Sequence, residues 1–445
     1  MLGPGRTLIT TTLSLVVLAS ALATADSGFV DLVGGPDLAG WERRGGRAGY
    51  TVENGEVVGR TVLDSPNTFL CTRKTYADFV LEFDVRVDPR LNSGVQIRSE
   101  SRPEYRDGVV HGYQVEIDPG ARAWSGGIYD EQRRKWLATL EGDEAARKAF
   151  VNGQWNNFRV EAVGDRLRTW VNGIPTADLI DGLTRSGFIA LQVHQSDQAG
   201  LEVRWRNLRL RELPPSATGA TPNTLTDAER EQGYALLWDG RTSWGWKSAR
   251  GGEFPTSGWQ TKDGVLSVLA SGGAESSAGG DIVTEESYGD FELRFDFRLT
   301  PGANSGVKYF VDLGLNRGPG SAIGLEYQLL DDERHPDAKL GRDGNRKLAS
   351  LYDLIPAAAD KKVRPTGEWN EGRVVSRGRH VEHWLNGSKV LEYERGSEAY
   401  RRLVSESKYK VWPGFGERAD GPILLQDHGN AVSFRNLRIR RLPPE

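Results

Sequence analysis

The chain repeats one ordered set of short motifs in its two halves. Eight markers recur in the same order: Gly40-Trp41 with Gly245-Trp246, Glu53-Asn54-Gly55 with Lys262-Asp263-Gly264, Tyr76-Ala77-Asp78-Phe79 with Tyr288-Gly289-Asp290-Phe291, Asn92-Ser93-Gly94-Val95 with Asn304-Ser305-Gly306-Val307, Trp155-Asn156 with Trp369-Asn370, Trp170-Val171-Asn172-Gly173 with Trp384-Leu385-Asn386-Gly387, Leu191-Gln192-Val193-His194 with Leu425-Gln426-Asp427-His428, and Arg206-Asn207-Leu208-Arg209 with Arg435-Asn436-Leu437-Arg438. Self-similarity of this kind means that one structural unit is used twice. The length of 445 residues also exceeds what one ordinary core organises. We therefore predict two tandem domains.

The repeat also predicts where the domains begin and end. Both copies close on Leu-Pro-Pro, and the first closure is followed by a segment rich in Pro, Ser, Thr and Gly. Such a composition is typical of a linker. We predict a first domain over residues 27–213, a linker over 214–223 and a second domain over 224–445. The offset between the copies grows from 205 (246 minus 41) to 234 (426 minus 192), so the second copy carries insertions, mainly between Tyr393 and Gly421.

The fold class follows from hydrophobic periodicity. Apolar and polar residues alternate over 79–86 and again over 291–298, as in half-buried antiparallel strands. Asn172-Gly173 and Asn386-Gly387 are hairpin signals, because a two-residue turn of the primed type needs positive φ at both positions. Long helical patterns are absent from the sequence, and Thr226 caps one short predicted helix. We predict an all-β chain of two tandem sandwiches.

The N-terminus and the overall charge limit where the protein acts and what it binds. Arg6 precedes an apolar stretch over 8–22 and small residues at 23–25, which predicts a signal peptide over 1–25 and export to the periplasm or the exterior. A retained anchor is the alternative, and no other segment is long enough to span a membrane. The net charge of −4 comes from interspersed residues, which argues against nucleic acid as a partner. The single Cys71 excludes an internal disulfide.

The repeated motifs resemble the 3-keto-disaccharide hydrolase domain family, formerly a domain of unknown function. The resemblance rests on the Gly-Trp, Tyr-x-Asp-Phe, Asn-Ser-Gly, Trp-Asn, Trp-x-Asn-Gly, Leu-Gln-x-His and Arg-Asn-Leu-Arg motifs of both copies. It implies two concanavalin A-like jelly rolls that act on carbohydrate. It also implies cleavage of glycosides whose sugar has been oxidised at C3.

A ketone at C3 acidifies the C2 proton, so the glycosidic bond can break by elimination followed by hydration. This path needs a base at C2, a stabiliser for the enolate oxygen and an acid for the leaving group. The second copy offers Glu326 as base or acid, Lys308 as enolate stabiliser and His428 as proton carrier. Strand alternation predicts Glu326 and Gln328 on one face, and Lys308 on the same face as Gly306 and Phe310. A structural ion pair between Lys308 and Glu326 is the alternative.

Other side chains of the second copy are candidates for contacts with the sugar. The predicted substrate-binding residues there are Gln328, Asn304, Asp331, His335, Tyr352, Trp384 and Gln426. Trp384 is either a stacking platform or a structural residue beside the hairpin, and His383 is predicted to pack in the core. The loop of His335, Asp331, Asp332 and Asp337 has the residue types of a divalent cation site. No residue is assigned as a metal ligand, and the cofactor is left open.

The first copy departs from the pattern at the reactive positions. Gln114 stands opposite Glu326, Gln96 opposite Lys308 and Thr169 opposite His383. Its predicted ligand contacts are Arg98, Gln114, Glu116 and His194, which suit recognition of hydroxyl groups. We predict that the second domain is catalytic and the first an accessory carbohydrate-binding domain, with a second active site or a purely structural first copy as the alternatives. A lectin-like protein without turnover is the alternative for the whole chain, and the oligomeric state is left open.

Overall fold

Antiparallel strands dominate the computed structural model, which describes residues 28–216, 221–272, 275–276, 278–316, 318 and 320–443. The strands form four sheets, two in each half of the chain, and each pair of sheets encloses its own hydrophobic core. This confirms the prediction of two tandem jelly-roll sandwiches. The predicted signal peptide lies outside the described residues. In the part of the chain described here, no helix is long and apolar enough to cross a membrane.

The first domain consists of one eight-stranded and one seven-stranded sheet. Its strands are β1 Val30–Asp31, β2 Trp41–Gly45, β3 Gly49–Glu53, β4 Glu56–Arg60, β5 Thr68–Thr72, β6 Phe79–Val87, β7 Ser93–Glu100, β8 His111–Ile117, β9 Ile128–Glu131, β10 Lys135–Ala138, β11 Asn156–Val163, β12 Arg166–Val171, β13 Ile174–Ile180, β14 Phe188–Val193 and β15 Glu202–Glu212. One sheet has the order β13-β12-β11-β6-β15-β4-β3, with β1 on β15, and the other has the order β10-β9-β8-β7-β14-β5-β2.

The second domain repeats this plan with an eight-stranded and a five-stranded sheet. Its strands are β16 Ala235–Leu236, β17 Trp246–Ser248, β18 Trp259–Lys262, β19 Val265–Val268, β20 Ile282–Thr284, β21 Phe291–Leu299, β22 Asn304–Asp312, β23 Ile323–Leu330, β24 Asn370–Arg377, β25 His380–Leu385, β26 Ser388–Glu394, β27 Leu424–Leu425 and β28 Val432–Arg441. The orders are β18-β19-β28-β21-β24-β25-β26, with β16 on β28, and β17-β20-β27-β22-β23. We call the two eight-stranded sheets the back sheets and the other two the groove sheets.

Helices are short and lie between strands. They are α1 Glu144–Lys148, α2 Asp227–Glu231 and α3 Glu398–Ser405, with 3₁₀ turns at Arg106–Gly108, Pro336–Lys339 and Lys408–Val411. The predicted cap at Thr226 is confirmed, because its side chain accepts from the Glu229 amide while the Glu229 carboxylate accepts from the Thr226 amide. Helix α3 and the turn at Lys408 lie in the inserted part of the second copy.

The Trp-Asn and Trp-x-Asn-Gly motifs have a structural role in both domains. Asn172 Nδ2 donates to Asn156 Oδ1 over 2.8 Å, and Asn386 Nδ2 donates to Asn370 Oδ1 over the same distance. Both turn asparagines have positive φ, 49° at Asn172 and 47° at Asn386, as the predicted hairpins require. The constant spacing of 15 residues between the two motifs therefore fixes the hairpin against the neighbouring strand.

A β-bulge changes the face on which one predicted groove residue lies. Phe310 has a φ of +51°, and the register of β22 against β23 shifts between Tyr309 and Asp312. The Phe310 ring is buried in the core against Phe291. The expectation that Phe310 shares a face with Lys308 is therefore wrong, because the bulge adds a residue and interrupts the alternation.

Both described ends of the segment between the domains are hydrogen-bonded to a domain. The Ser216 amide and hydroxyl donate to the Asp78 carboxylate of the first domain. The Asn223 amide donates to Asn436 Oδ1 (2.7 Å), and the Asn436 amide donates to Asn223 Oδ1 (2.8 Å). Each domain thus extends a few residues into the predicted linker of 214–223.

We predict that separately expressed halves fold, and that these end residues contribute to their stability. A second half that starts at residue 221 should melt several degrees above one that starts at 224, because the shorter form loses two hydrogen bonds between a backbone amide and a side-chain oxygen, worth about 1 kcal/mol each. Thermal unfolding followed by circular dichroism measures this difference. Equal melting temperatures would show that the Asn223–Asn436 contact does not stabilise the domain.

Candidate functional site

Alternate side chains of β22 and β23 point away from the core of the second domain. Val307, Tyr309, Leu325 and Tyr327 belong to the core, whereas the intervening positions carry Asn304, Gly306, Lys308, Glu326 and Gln328. Lys308 lies directly opposite Glu326 in the strand register. The structure thus brings together Lys308 and Glu326, as the sequence predicts. We call the site formed by Asn304, Gly306, Lys308, Glu326, Gln328, Gln426 and His428 the second groove.

The Asn-Ser-Gly motif makes room for the residue at position 326. A Cβ atom at Gly306 would lie 2.3 Å from Glu326 Oε1, which is far inside van der Waals contact. The first domain repeats this relation, because a Cβ atom at Gly94 would lie 2.5 Å from Gln114 Cδ. The glycine of the Asn-Ser-Gly motif is therefore needed in both copies because a long polar side chain of the neighbouring strand lies across it.

Glu326 and Lys308 form a buried ion pair. Lys308 Nζ lies 3.7 Å from Glu326 Oε2, and both side chains are almost completely buried. Lys308 Nζ also donates to Ser321 Oγ and to the Ala322 carbonyl (3.1 Å). Two of the three ammonium protons are thus used within the protein, and Glu326 Oε2 lies beyond hydrogen-bond distance. The geometry therefore supports the ion pair between Lys308 and Glu326, the alternative to an enolate stabiliser.

The Glu326 carboxyl has a raised pKa. Burial raises its pKa above the usual range, because the charged form loses water, and the positive charges of Lys308 and Lys408 oppose this shift. In the orientation that satisfies its neighbours, the Gln328 amide donates to the Ser305 carbonyl (3.0 Å) and to Glu326 Oε1 (3.2 Å). A raised pKa of this origin is typical of carboxyl groups that exchange protons at functional sites.

Two polar atoms beside Glu326 have no protein partner. Gln426 Nε2 donates to Glu275 Oε1 (2.9 Å), but among the described residues nothing bonds to Gln426 Oε1 or to His428 Nδ1, both of which are buried. Buried polar atoms without partners are rare in proteins, and a ligand or water usually satisfies them. The intervening Asp427 points the other way and accepts from the amides of Gly279 and Gly280.

A second histidine lies next to His428. The ring centres of His335 and His428 are 6.1 Å apart. His335 Nδ1 accepts from the Asp337 amide (3.2 Å), so its Nε2 is free to carry the proton of the neutral ring. Burial lowers the pKa of His335, and the nearby His428 lowers it further. His335 is thus a neutral ring at the edge of the second groove.

The backbone of Tyr352 is hydrogen-bonded to the backbone of Glu326. The Tyr352 amide donates to the Glu326 carbonyl (3.1 Å), and the Tyr352 hydroxyl donates to Asp337 Oδ2 (2.8 Å). The ring of Tyr352 contacts the ammonium of Lys408, with Nζ 4.3 Å from the ring centre. Lys408 was not predicted from the sequence, because it belongs to the insertion and has no counterpart in the first copy.

Two predicted sugar contacts of the second copy are engaged elsewhere. Asp331 accepts from the Gly302 amide (2.7 Å) and from Arg334 Nη1 (3.1 Å), so it closes a turn. Trp384 lies on β25 of the back sheet, where Nε1 donates to Glu382 (2.8 Å) and Arg373 stacks on the ring at 4.7 Å. The structural alternative for Trp384 therefore applies, and neither residue lines the second groove.

His383 lies in the core, as predicted. Its Nδ1 is 3.0 Å from the Ala349 carbonyl, and its Nε2 is 2.6 Å from the Tyr309 hydroxyl. Burial lowers the pKa of His383 to about 4. The ring is therefore neutral and takes no part in proton exchange with a ligand.

The carboxylates around His335 are paired with basic side chains. Asp332 pairs with Lys361 (2.8 Å), and Asp337 pairs with Arg346 (2.9 Å). Within the described ranges, one group has the spacing of metal ligands, namely His380, Glu382 and Glu392 on the back sheet. The ammonium of Lys389 already neutralises that group by bonding to both glutamates.

The corresponding face of the first domain forms an open groove of about 580 Å³. Its lining includes Asn67, Asn92, Gln114, Glu116, Asp118, Arg122, Tyr129, Glu131, Trp136, Gln192 and His194. We call this the first groove. The structure thus brings together three of the four residues that the sequence predicts here, Gln114, Glu116 and His194.

The polar residues of the first groove form a chain of hydrogen bonds. Gln96 donates to Gln114 (2.7 Å), Gln114 to Glu116 (2.9 Å), and Asn92 to the other oxygen of Glu116 (2.8 Å). Burial raises the pKa of Glu116. In the described part of the chain, neither polar atom of the buried Gln192 amide has a partner. Gln192 occupies the position of Gln426, and this match was the available signal for it.

Arg98, the fourth predicted contact, is a core residue. Its guanidinium is fully buried and donates to the Ala77 carbonyl (2.7 Å), the Gly164 carbonyl (2.8 Å) and Asp78 Oδ1 (2.9 Å). All of these partners lie away from the first groove. The structure therefore removes Arg98 from the candidate site, and the positive φ of 46° at this residue explains its direction.

The comparison with known proteins agrees with the tandem organisation. A family model described as the 3-keto-alpha-glucoside-1,2-lyase-like domain matches residues 28–211 and 233–440. A 3-keto-disaccharide hydrolase of Bacteroides thetaiotaomicron is 36% identical over 230 residues, which are 47% of this chain and 79% of the relative.

Two solved structures cover single domains of this chain. One is a glycosyl hydrolase by provisional assignment from Parabacteroides distasonis, with 33% identity, a TM-score of 0.44, and coverage of 50% of this chain and all of that one. The other is a carbohydrate-binding module from Bacillus subtilis, with 16% identity, a TM-score of 0.29, and coverage of 39% and 96%. Because the family model matches most of both halves, the chain belongs to the family of 3-keto-α-glucoside-1,2-lyase-like domains and carries two of them in tandem.

Proposed function

We propose that the second domain cleaves glycosides whose sugar carries a ketone at C3, by elimination and subsequent hydration. The observation that carries this proposal is the buried Glu326–Lys308 pair beside the unpartnered atoms of Gln426 and His428. The named activity of the Bacteroides relative supports the same substrate class. Paired carboxylates, as in most glycosidases, are not needed when a ketone assists.

In the proposed reaction Glu326 removes the proton from C2, and the electron pair forms the enolate of the C3 ketone. When the ketone re-forms, the pair moves into a C1–C2 double bond and the C1–O bond breaks. His428 gives a proton to the departing oxygen. Water then adds at C1 while C2 regains a proton, so the net result is hydrolysis. Each proton transfer needs a group within hydrogen-bond reach of the sugar.

Glu326→Gln should lower turnover at least about a hundredfold while binding is largely retained, because an amide cannot take a proton from carbon. The test measures aglycone release from a 3-keto-disaccharide and the affinity for the same compound. Glu116→Gln in the first domain is the matched control and should leave the chemical step unchanged. A silent Glu326→Gln together with an inactive Glu116→Gln would reverse the roles of the two domains.

The acidic limb of the pH profile should respond to Lys308. Glu326 acts as a base only when ionised, so turnover rises with pH through its pKa. Burial raises that pKa and Lys308 holds it down, so Lys308→Gln should move the limb to higher pH by roughly one unit or more. The measurement is kcat/KM against pH, with Lys389→Gln on the back sheet as control. A limb that stays in place would mean that Glu326 is not the titrating group.

The first domain, we propose further, binds carbohydrate without cleaving it. Gln96 and Gln114 stand where the second domain has Lys308 and Glu326, and neither amide exchanges protons with carbon. The unpartnered amide of Gln192 lies at the first groove beside hydrogen-bonded polar groups, which suits a neutral sugar. Trp136 adds an aromatic wall, braced by Trp124 at 4.7 Å and Tyr129 at 5.2 Å.

Gln192→Leu should weaken sugar binding at the first groove about tenfold or more, since both hydrogen-bonding atoms are removed and an apolar side chain of comparable size remains. Calorimetric titration of a neutral disaccharide into the Glu326→Gln protein, with and without Gln192→Leu, measures the loss. Turnover of the protein that carries Gln192→Leu alone should stay at the wild-type level. Unchanged affinity would favour a purely structural first domain.

A lectin-like protein without turnover is the competing function, and the unpartnered groups at both grooves would serve it equally. Incubation of the wild-type protein with a 3-keto-glucoside separates the two, because only the enzyme releases the aglycone. We propose export as well, from the sequence of residues 1–25. N-terminal sequencing of the protein from its producing cells should then begin near Asp26.

A further inference from the structure

The insertion of the second copy places a lysine over the second groove. The offset between the copies rises from 214 (386 minus 172) to 234 (426 minus 192), so the second domain gains 20 residues between these markers. Most of them form helix α3 and the 3₁₀ turn that begins at Lys408. The first domain has nothing in this place, and its only groove cation among the lining residues, Arg122, is paired with Glu116 and Asp118.

The main chain of Lys408 is fixed to the second groove. Asp353 Oδ2 accepts from the Lys408 amide (3.0 Å), and Asp353 Oδ1 accepts from Arg346 Nε (2.7 Å). Asp353 directly follows Tyr352, whose amide bonds to the Glu326 carbonyl. A short path of hydrogen bonds therefore links the turn at Lys408 to the strand of Glu326.

The ammonium of Lys408 has aromatic neighbours but no anionic partner. Its Nζ lies 4.3 Å from the ring centre of Tyr352 and 5.2 Å from that of Tyr409. Among the described residues, no hydrogen bond or ion pair engages this Nζ, in contrast to Lys308, which donates two hydrogen bonds and pairs with Glu326. Cation–π contacts hold a lysine in one direction and leave its protons available.

The electrostatic environment links Lys408 to Glu326. Desolvation by the surrounding side chains lowers the pKa of Lys408, the negative charge of Glu326 acts against this, and Lys308 adds to the lowering. The same interaction opposes the rise of the Glu326 pKa. The charges of Lys408 and Glu326 therefore act on each other.

We propose that Lys408 is a catalytic residue whose ammonium binds the C3 oxygen of the substrate and stabilises the enolate. This inference rests on the proposed function and assigns to Lys408 the role that the sequence suggested for Lys308. Glu326 takes the C2 proton, and the electron pair of the C2–H bond moves to the C3 oxygen, where Lys408 donates a hydrogen bond. No covalent bond forms to the lysine, and the pair returns when the C1–O bond breaks.

The test compares Lys408→Met, which keeps the apolar stem, with Lys408→Arg, which keeps the charge. With a 3-keto-disaccharide, Lys408→Met should lower kcat about a hundredfold or more, as expected for the loss of one preorganised charge at an oxyanion, while KM changes far less. Exchange of the C2 proton for solvent deuterium, followed by NMR on a methyl 3-keto-glucoside, should slow by a similar factor. Lys408→Arg should retain at least ten times the activity of Lys408→Met.

Lys410→Met is the control, since Lys410 lies in the same exposed turn and should leave both rates unchanged. Melting curves establish that each variant is folded, and Lys408→Gln replaces Lys408→Met if the latter is not. If the wild type releases aglycone while a folded Lys408→Met variant keeps its wild-type rate of C2 exchange, the role of Lys408 is refuted. A wild type that neither releases aglycone nor exchanges C2 protons would refute the proposed function instead. Trapping of a sugar adduct on Lys408 by borohydride would also overturn the proposal, because it requires a covalent role.

Discussion

The burial of one carboxylate organises the second groove. Glu326 loses most of its contact with water between two strands, and a charge in that position is costly unless it is paired and hydrogen-bonded. Lys308 provides the pairing, Gln328 a hydrogen bond, and Gly306 the space. The desolvation that these partners do not offset raises the pKa of the Glu326 carboxyl, as is common for groups that exchange protons at functional sites.

The first domain keeps this geometry and loses the charge. Gln114 lies across Gly94 as Glu326 lies across Gly306, and Gln96 meets Gln114 as Lys308 meets Glu326. A neutral amide pair needs no compensating ion, and Gln114 and Gln96 are further hydrogen-bonded to Glu116 and Ser99. The same backbone therefore holds a charged pair in the second domain and a neutral pair in the first.

The sequence predicted the fold better than it predicted the direction of single side chains. Repeats, period-two strands and Asn-Gly turns are local signals, and each has its counterpart in the structure. Arg98 and Phe310 follow the alternation of their strands in sequence, but a bulge with positive φ turns both inward. Lys408 could not be predicted from the sequence for another reason. It belongs to an insertion that has no counterpart in the first copy, and its position depends on long-range contacts with Asp353 and Tyr352.

The wrong predictions for Arg98 and Phe310 have one structural origin. Arg98 and Phe310 occupy matched positions, and in the second domain the guanidinium comes instead from Arg395, which stacks on Phe310 at 3.6 Å and donates to the Gly378 carbonyl, as Arg98 donates to that of Gly164. Arg395 also donates to the carbonyls of Gly416 and Arg418 within the insertion. Because the arginine now starts from the end of the back sheet, it can anchor the segment that carries Lys408. The buried cation thus comes from a different point of the chain in each domain, and in the second domain it also holds the insertion that contains Lys408.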